Sequence, residues 1–336
     1  MRADSSHAQR PVLVDAMGGD FAPRAIVEGA LLAQDDGLPV RLVGRTPDLK
    51  PWLPRSGIEV VHASDVVAMD EAAVSAVRRS EDSSLRVALR ELAAGNGSAV
   101  VSCGNTGAAL VAAVFDLGML EGVERPAVAT RLPRADGRHL VLLDAGGNVD
   151  VRPELLVTFA VLGAAYAQAL GIPEPRVGLL SNGSEDSKGN QLVRHTLPLL
   201  RETGLRVVGP VEPTTAFEGG CDVLVTDGFT GNVLLKSAEG AVTTITSMLR
   251  AEIGRSTVGR LGAMLLGGAL RRFRQQVAWD VQGGAVLLGA RGTVVIGHGR
   301  ATPEAVRHAI RLAHRSAQAR LVARVERGLA ARTANG

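Results

Sequence analysis

Aromatic side chains are scarce in this sequence, at 3% of 336 residues. That removes the stacking platforms on which single-stranded nucleic acids are usually held. No helix-turn-helix, zinc-finger or RNA-binding signature is present either, so no nucleic-acid partner is expected. Cysteine is scarcer still. Cys103 and Cys221 lack a CxxC partner, which indicates neither a zinc site nor a disulfide framework and fits a reducing compartment. Charge of one sign is not in excess, since 37 basic residues face 34 acidic ones for a net +3. No apolar run approaches the ~18–20 residues needed to span a bilayer. The first ten residues are polar and carry no apolar signal stretch. These absences predict a cytoplasmic protein with a disordered tail over residues 1–10. Dinucleotide and ATP phosphate cradles, H-E-x-x-H and G-x-S-x-G are missing as well. Neither a cofactor nor a metal is therefore expected, and a covalent nucleophile has little support.

What the chain does have is glycine, with 40 residues, in a sequence that is 46% apolar. The organising stretch is Ser102-Cys103-Gly104-Asn105-Thr106-Gly107-Ala108. It lies between the buried-strand pattern Ala99-Val100-Val101 and the helical pattern Ala109 to Leu117. Glycine lets such a turn approach a bound group closely. The helix then aims unpaired N–H groups and its positive dipole end at that group, which suits an anion. The same strand, glycine turn, helix unit recurs. Val12-Leu13-Val14 ends at Asp15 before Met17-Gly18-Gly19-Asp20, with a helix from Pro23 to Ala33. Leu140 to Leu143 ends in Asp144-Ala145-Gly146-Gly147-Asn148, with a helix from Pro153 to Leu170. Val177 to Leu180 leads into the loop Ser181 to Asn190, which contains Lys188. Val223 to Val225 leads into Asp227-Gly228-Phe229-Thr230-Gly231-Asn232. Val294 to Ile296 leads into Gly297-His298-Gly299, with Thr302 as N-cap and Pro303 at the first helical position. Val40 to Val43, Glu59 to His62 and the pair Val207-Val208 read as further strands, and Asp82-Ser83-Ser84 opens another helix. Short strands apolar on both faces, alternating with helices, predict an α/β fold with a mainly parallel sheet covered on both faces. Ligands bind beyond the carboxyl ends of such strands, so the six turns are expected to converge on one crevice.

Each motif has a plain reading beside the functional one. For Asp15, Asp144 and Asp227, capping the turn backbone and contacting a ligand weigh equally. Lys188 reads either as a solvated surface lysine or as a cation for phosphate or an oxyanion. His298 reads slightly better as functional than as structural. Cys103 has no neighbouring His or Lys to lower its pKa, so a buried filler suits it better than a nucleophile. Residues 240–277 break the rhythm, with helical pattern and no strand. Val258, Leu261, Met264, Leu265, Leu266 and Leu270 are edged there by Arg255, Arg260, Arg271, Arg272 and Arg274. This helical excursion reads as an oligomer interface or as an interfacial membrane helix. The α/β core is then expected over 11–239 and 278–330.

The motifs VDAMGGDFAP, AMDE, RRSEDSS, SCGNTGA, DAGGNVD, GLLSNGSEDSKGN, DVLVTDGFTGNVLLKSAEG and GGAVLLGARGTVVIGHG follow one another along Val12 to Ala319. In this set and order the chain resembles the bacterial phosphate acyltransferases, the acyl-carrier-protein:phosphate transacylases of phospholipid synthesis. The resemblance implies a fold similar to isopropylmalate dehydrogenases and phosphotransacetylases. It also implies attack of inorganic phosphate on a long-chain thioester of acyl carrier protein. The acyl phosphate product would feed a downstream glycerol-3-phosphate acyltransferase. A homodimer associated peripherally with membrane is implied, with 240–277 as the contact region. Arg260, Leu261, Leu265, Leu266, Arg271 and Arg272 are its candidate membrane or carrier contacts. On this reading Lys188, Asn105, Asn148, Asn232 and His298 are catalytic candidates. Asp15, Gly18, Gly19, Asp20, Gly104, Thr106, Gly107, Gly146, Gly147, Asp227, Gly228 and Gly231 are candidates for substrate and phosphate binding. The sequence departs from the family pattern at Ser80-Glu81, where Lys-Lys is usual, and across Ser181 to Asp186. A coenzyme A phosphotransacylase, a dehydrogenase of the related fold and a catalytically silent membrane-associated paralogue are the competing readings.

Overall fold

Alternate residues of the short apolar strands face opposite sides of one sheet, and this period-2 pattern builds two cores. Val12, Val14 and Val101 enter the core of one face, while Leu13 and Val100 enter that of the other. The computed structural model describes residues 10–53, 57–277 and 283–335. Residues 1–9 of the expected tail and 278–282 of the expected core lie outside it.

In the first half of the chain β1 (Val12–Asp15), α1 (Arg24–Asp35), β2 (Val40–Gly44), α2 (Thr46–Leu49), β3 (Glu59–His62), α3 (Ala73–Arg79), α4 (Ser84–Ala93), β4 (Ala99–Ser102) and α5 (Thr106–Asp116) follow in order. Next come β5 (Ala127–Pro133), β6 (His139–Leu143), α6 (Pro153–Ala169), β7 (Val177–Leu180), α7 (Gln191–Arg201), β8 (Val207–Val211), α8 (Pro213–Glu218) and β9 (Val223–Val225). The chain closes with α9 (Gly228–Gly254), α10 (Thr257–Leu265), α11 (Gly267–Val277), β10 (Ala285–Leu288), β11 (Val294–Ile296), α12 (Pro303–Gln318) and α13 (Leu321–Asn335). The strands form one eleven-stranded sheet in the order β3-β2-β1-β4-β11-β10-β5-β6-β9-β7-β8.

The sheet is mainly parallel, as expected, but its direction reverses in the middle. β10 pairs antiparallel with both β11 and β5, and β5 pairs antiparallel with β6. Three reversals leave β6, β9, β7 and β8 running opposite to β3, β2, β1, β4 and β11. The two halves are also staggered along the strands. Val101 of β4 is level with Val295 and Val286, and Ala129, the partner of Val286, precedes Thr130, which pairs with Leu142 near the end of β6. The carboxyl ends of the opposed strands therefore lie at about one level in the middle of the sheet, and Ala108 at the start of α5 shares an apolar cluster with Ala145 of the β6 turn, against which Leu235 of α9 packs.

α6 is buried continuously from Leu155 to Ala167, which explains why its sequence is apolar on every side. It packs between the sheet, α7 and α13. α1 and α12 pack together over the same face, and Asp36 at the end of α1 clasps Arg307 and Arg311 of α12. The long helix α9 is different, with only Gly228 and Gly231 buried. Within residues 240–277 Gly254 ends α9 and Gly267 opens α11, while Gly259 and Gly262 lie inside α10.

Candidate active site

Beyond β1, β4 and β11, three glycine turns close on each other. β1 and β4 pair in register, which sets Asp15 opposite Ser102. A Cβ on Gly18 would lie 2.6 Å from Asp15 Oδ2 and 2.8 Å from the Gly104 amide. Gly19, at φ +113°, has room for a Cβ only 3.1 Å from the carbonyls of Cys103 and Gly299. The Asp20 amide donates to that same Gly299 carbonyl at 2.8 Å. Gly297 rests on Cys103, where a Cβ would meet Sγ at 2.5 Å. Glycine is thus required here by close approach of backbone to backbone. Asp15, Gly18, Gly19, Asp20, Gly104, Asn105, Thr106, Gly107 and His298 belong to this cluster.

The cluster offers unpaired donors. The N–H groups of Asn105, Thr106 and Gly107, at the start of α5, have no acceptor among the described residues, and the helix dipole reinforces them. The Asn105 side chain is already committed. Its Oδ1 accepts from the Ala108 amide at 3.0 Å, and its Nδ2 donates to the carbonyls of Met69 at 3.1 Å and Glu71 at 2.9 Å. Asn105 therefore caps α5 and fastens the loop after β3 over the turn. His298 is exposed, and its Nδ1 accepts from the Arg300 amide at 3.1 Å. A neutral ring then carries its proton on Nε2, which is left to donate.

Beneath these turns lies Asp15, 3% exposed. Its Oδ1 accepts from Ser84 Oγ at 2.6 Å, and its Oδ2 accepts from Ser102 Oγ at 2.6 Å. Ser102 Oγ in turn accepts from the Gly104 amide at 3.2 Å. Burial pushes the Asp15 carboxyl above its ordinary pKa, against the pull of these hydroxyls and of neighbouring backbone amides. Burial likewise pushes the Cys103 thiol up to about 12, with the nearby Asp15 adding to the effect. Cys103 is accordingly a poor nucleophile. Ser84 is the residue that sequence reasoning missed as part of the cluster. Its link to Asp15 spans 69 positions, and only strand register reveals it.

Beyond β6 and β9 the Asp144–Asn148 turn meets the start of α9. Asp144 is fully buried and accepts from the amides of Val128, Gly146, Gly147 and Asn148 and from Asn148 Nδ2. The amides of Gly146 and Gly147, expected to face a phosphate, are therefore engaged inward. Asn148 is buried too, its Nδ2 shared between Asp144 and the Pro126 carbonyl. Burial raises the pKa of Asp144 despite its donors. Asp227 caps α9, accepting from the Thr230 amide at 2.8 Å, and the Gly228 amide donates to the Asn148 carbonyl at 2.7 Å. A Cβ on Gly231 would overlap the Asp144 carbonyl, and Asn232 is exposed beside Gly146. Lys188 is exposed in the loop after β7 and has no ion-pair partner among the described residues. No recorded contact brings it to the Asp144 or Asp227 turns.

The departure at Ser80-Glu81 lies at the end of α3, where Ser80 is buried and Glu81 exposed. Among the described residues no group of His, Cys, Asp and Glu is arranged to hold a metal. Arg260, Leu261, Leu265, Leu266, Arg271 and Arg272 are all exposed on α10 and α11 or at the joint between them. No helix among the described residues is long and apolar enough to cross a membrane.

The architecture is that of the phosphotransacetylase-like α/β proteins. A phosphotransacetylase from Streptococcus pyogenes superposes with a TM-score of 0.63 at 18% identity, covering 93% of this chain and 94% of that one. A 4-hydroxythreonine-4-phosphate dehydrogenase from Klebsiella pneumoniae reaches 0.56 at 16% identity, over 92% and 100% of the two chains. The sequence itself is more specific. Residues 11–324 match the model of the fatty acid synthesis protein family, and the chain belongs to that family. A relative from Geobacter sulfurreducens, 46% identical over 310 residues, spans 90% of this chain and 89% of its own and is named phosphate acyltransferase. One from Bacillus licheniformis bears the same name at 42% identity over 319 residues, spanning 94% and 97%.

Proposed function

We propose that this chain is a phosphate acyltransferase that takes a long-chain acyl group from acyl carrier protein. Hydrogen phosphate attacks the thioester carbonyl carbon. A C–O bond forms, the C–S bond breaks, and the phosphate proton ends on the departing thiol. The substrate is itself the nucleophile, so the protein's work is to orient two anionic partners and stabilise the tetrahedral oxyanion. The observation that carries this reading is the open start of α5, with three unpaired amides above close-packed glycines. Phosphate sits there, with His298 Nε2–H as a side-chain donor. Lys188 and Asn232, both exposed in the turns after β7 and β9, serve the carrier-borne substrate. Asn105 and Asn148 act through the turns that they hold.

α10 and α11 supply the contact with membrane. Val258, Met264 and Leu265 are 79%, 78% and 83% exposed, and Arg260, Arg271 and Arg272 flank them without an acidic partner among the described residues. An amphipathic tip of this composition suits an anionic interface. The unburied length of α9 serves pairing with a second copy of the chain. Phosphate-dependent release of carrier thiol from long-chain acyl carrier protein, with acyl phosphate appearing, tests the reaction. Release from acyl coenzyme A alone would instead favour a coenzyme A phosphotransacylase, a reading supported by the likeness to phosphotransacetylases. No release from either donor by folded protein would favour a non-catalytic role.

A further inference from the structure

Asp15 is a carboxyl with two hydroxyl donors, backbone donors and no cation. It is 3% exposed, and no Lys, Arg or His pairs with it among the described residues. It is also directly beneath the turn assigned to phosphate. A Cβ on Gly104 would lie 3.7 Å from Asp15 Oδ2, and the Gly104 amide is tied to that oxygen through Ser102 Oγ. The groups packed around it carry no charge. β2 presents Val43, α4 presents Ser84, and β4 with its turn presents Ser102 and Cys103. A charged carboxylate in this position would repel a dianion held by the amides above it, with little solvent between to screen the pair. A protonated one keeps the same shape and both serine partners, with one hydroxyl contact reversed so that the carboxyl O–H donates to the serine oxygen, while removing the repulsion.

We propose that Asp15 is a proton-coupled positioning residue, which takes up one proton from solvent when a phosphate dianion occupies the start of α5. This rests on the reading of that turn as the phosphate seat. The coupling follows from linkage. The anion prefers the protonated form, so affinity falls as pH rises through the Asp15 midpoint, by about tenfold per pH unit for one proton. Burial has already raised that midpoint in the free protein, which moves the window toward neutrality. Cys103, with its thiol pushed up to about 12, stays neutral throughout.

Inorganic phosphate titrates near neutrality, so the probe is sulfate, which remains a dianion. Its affinity for the full-length protein is measured calorimetrically from pH 5 to pH 8, for wild type, Asp15→Asn and His298→Gln. His298 and Asp20 are the other titratable groups at the turn, and their share of any pH dependence persists in Asp15→Asn. The expected result is a falling wild-type affinity whose slope is reduced in Asp15→Asn and retained in His298→Gln. Parallel wild-type and Asp15→Asn profiles would overturn the coupling while leaving the phosphate seat intact. Absence of sulfate binding at every pH would overturn the seat and the coupling with it. If Asp15→Asn does not fold, Ser102→Ala replaces it. Removing that hydroxyl donor shifts the fall in affinity to higher pH, and an unshifted profile overturns the proposal.

Discussion

The two opposed blocks of strands carry turns that read alike and are built in opposite senses. After β4, Ser102-Cys103-Gly104-Asn105 leads into a helix whose first amides are unpaired, and its buried carboxyl, Asp15, comes from a different strand. After β6, Asp144-Ala145-Gly146-Gly147-Asn148 folds its own amides around its own carboxyl. The first turn is held from below and keeps its donors for something else. The second uses its donors to hold itself together and to seat α9. Of these two glycine-rich turns, the one that keeps its amides free is the one whose backbone another strand's carboxyl holds.

That contrast can be broken most severely at Asp144. Replacing it by Ala strips the acceptor from five donors, three of them buried, and should cost about 4 kcal/mol of stability, read as a lower urea midpoint. A midpoint close to wild type would mean that the turn does not depend on its carboxyl. In the Asp15 cluster Gly18→Ala drives a Cβ into the Gly104 amide. It should lower phosphate-dependent turnover about a hundredfold by displacing the turn. Full activity in this variant would remove the α5 start from the site. Lys188→Ala should reduce turnover about tenfold, the scale of one charge-assisted hydrogen bond, with an unchanged thermal midpoint because the side chain is exposed. Equal turnover would make Lys188 a surface residue only. The smallest effect is expected of Cys103→Ala, at about 1 kcal/mol in stability and no loss of turnover. An inactive but folded variant would restore the thiol as a nucleophile.

Much of this architecture was legible from local pattern. Strands ending in Asp15, Leu143 and Val225, the caps at Thr302 and Asp227, and the uniformly apolar α6 all follow from periodicity and end chemistry. The reversal of the sheet was not legible. A parallel block reads the same in either direction, and its sense relative to the other block is fixed by β5 and β10. β5 carries Thr130 and Arg131 and ends at Pro133, which blurs its strand pattern. β10 follows glycines at positions 283 and 284 with only four residues. Side-chain commitment was also hidden. The sequence places Asn105 and Asn148 in glycine turns, but only the folded contacts show that both amides are occupied within the protein.

α9 holds to the core by its first two turns, where Gly228 and Gly231 are buried and Leu234 and Leu235 pack against the apolar clusters. Its 27 residues extend about 40 Å at helical rise, yet Gly228 and Gly231 are the buried positions among them. Folding constraint is thus concentrated at one end of a rod. Substitutions farther along it can accumulate under selection for whatever the rod touches, with little penalty to the domain that carries it. Evolution can remodel the outer arm and the glycine turns on separate schedules, within one chain.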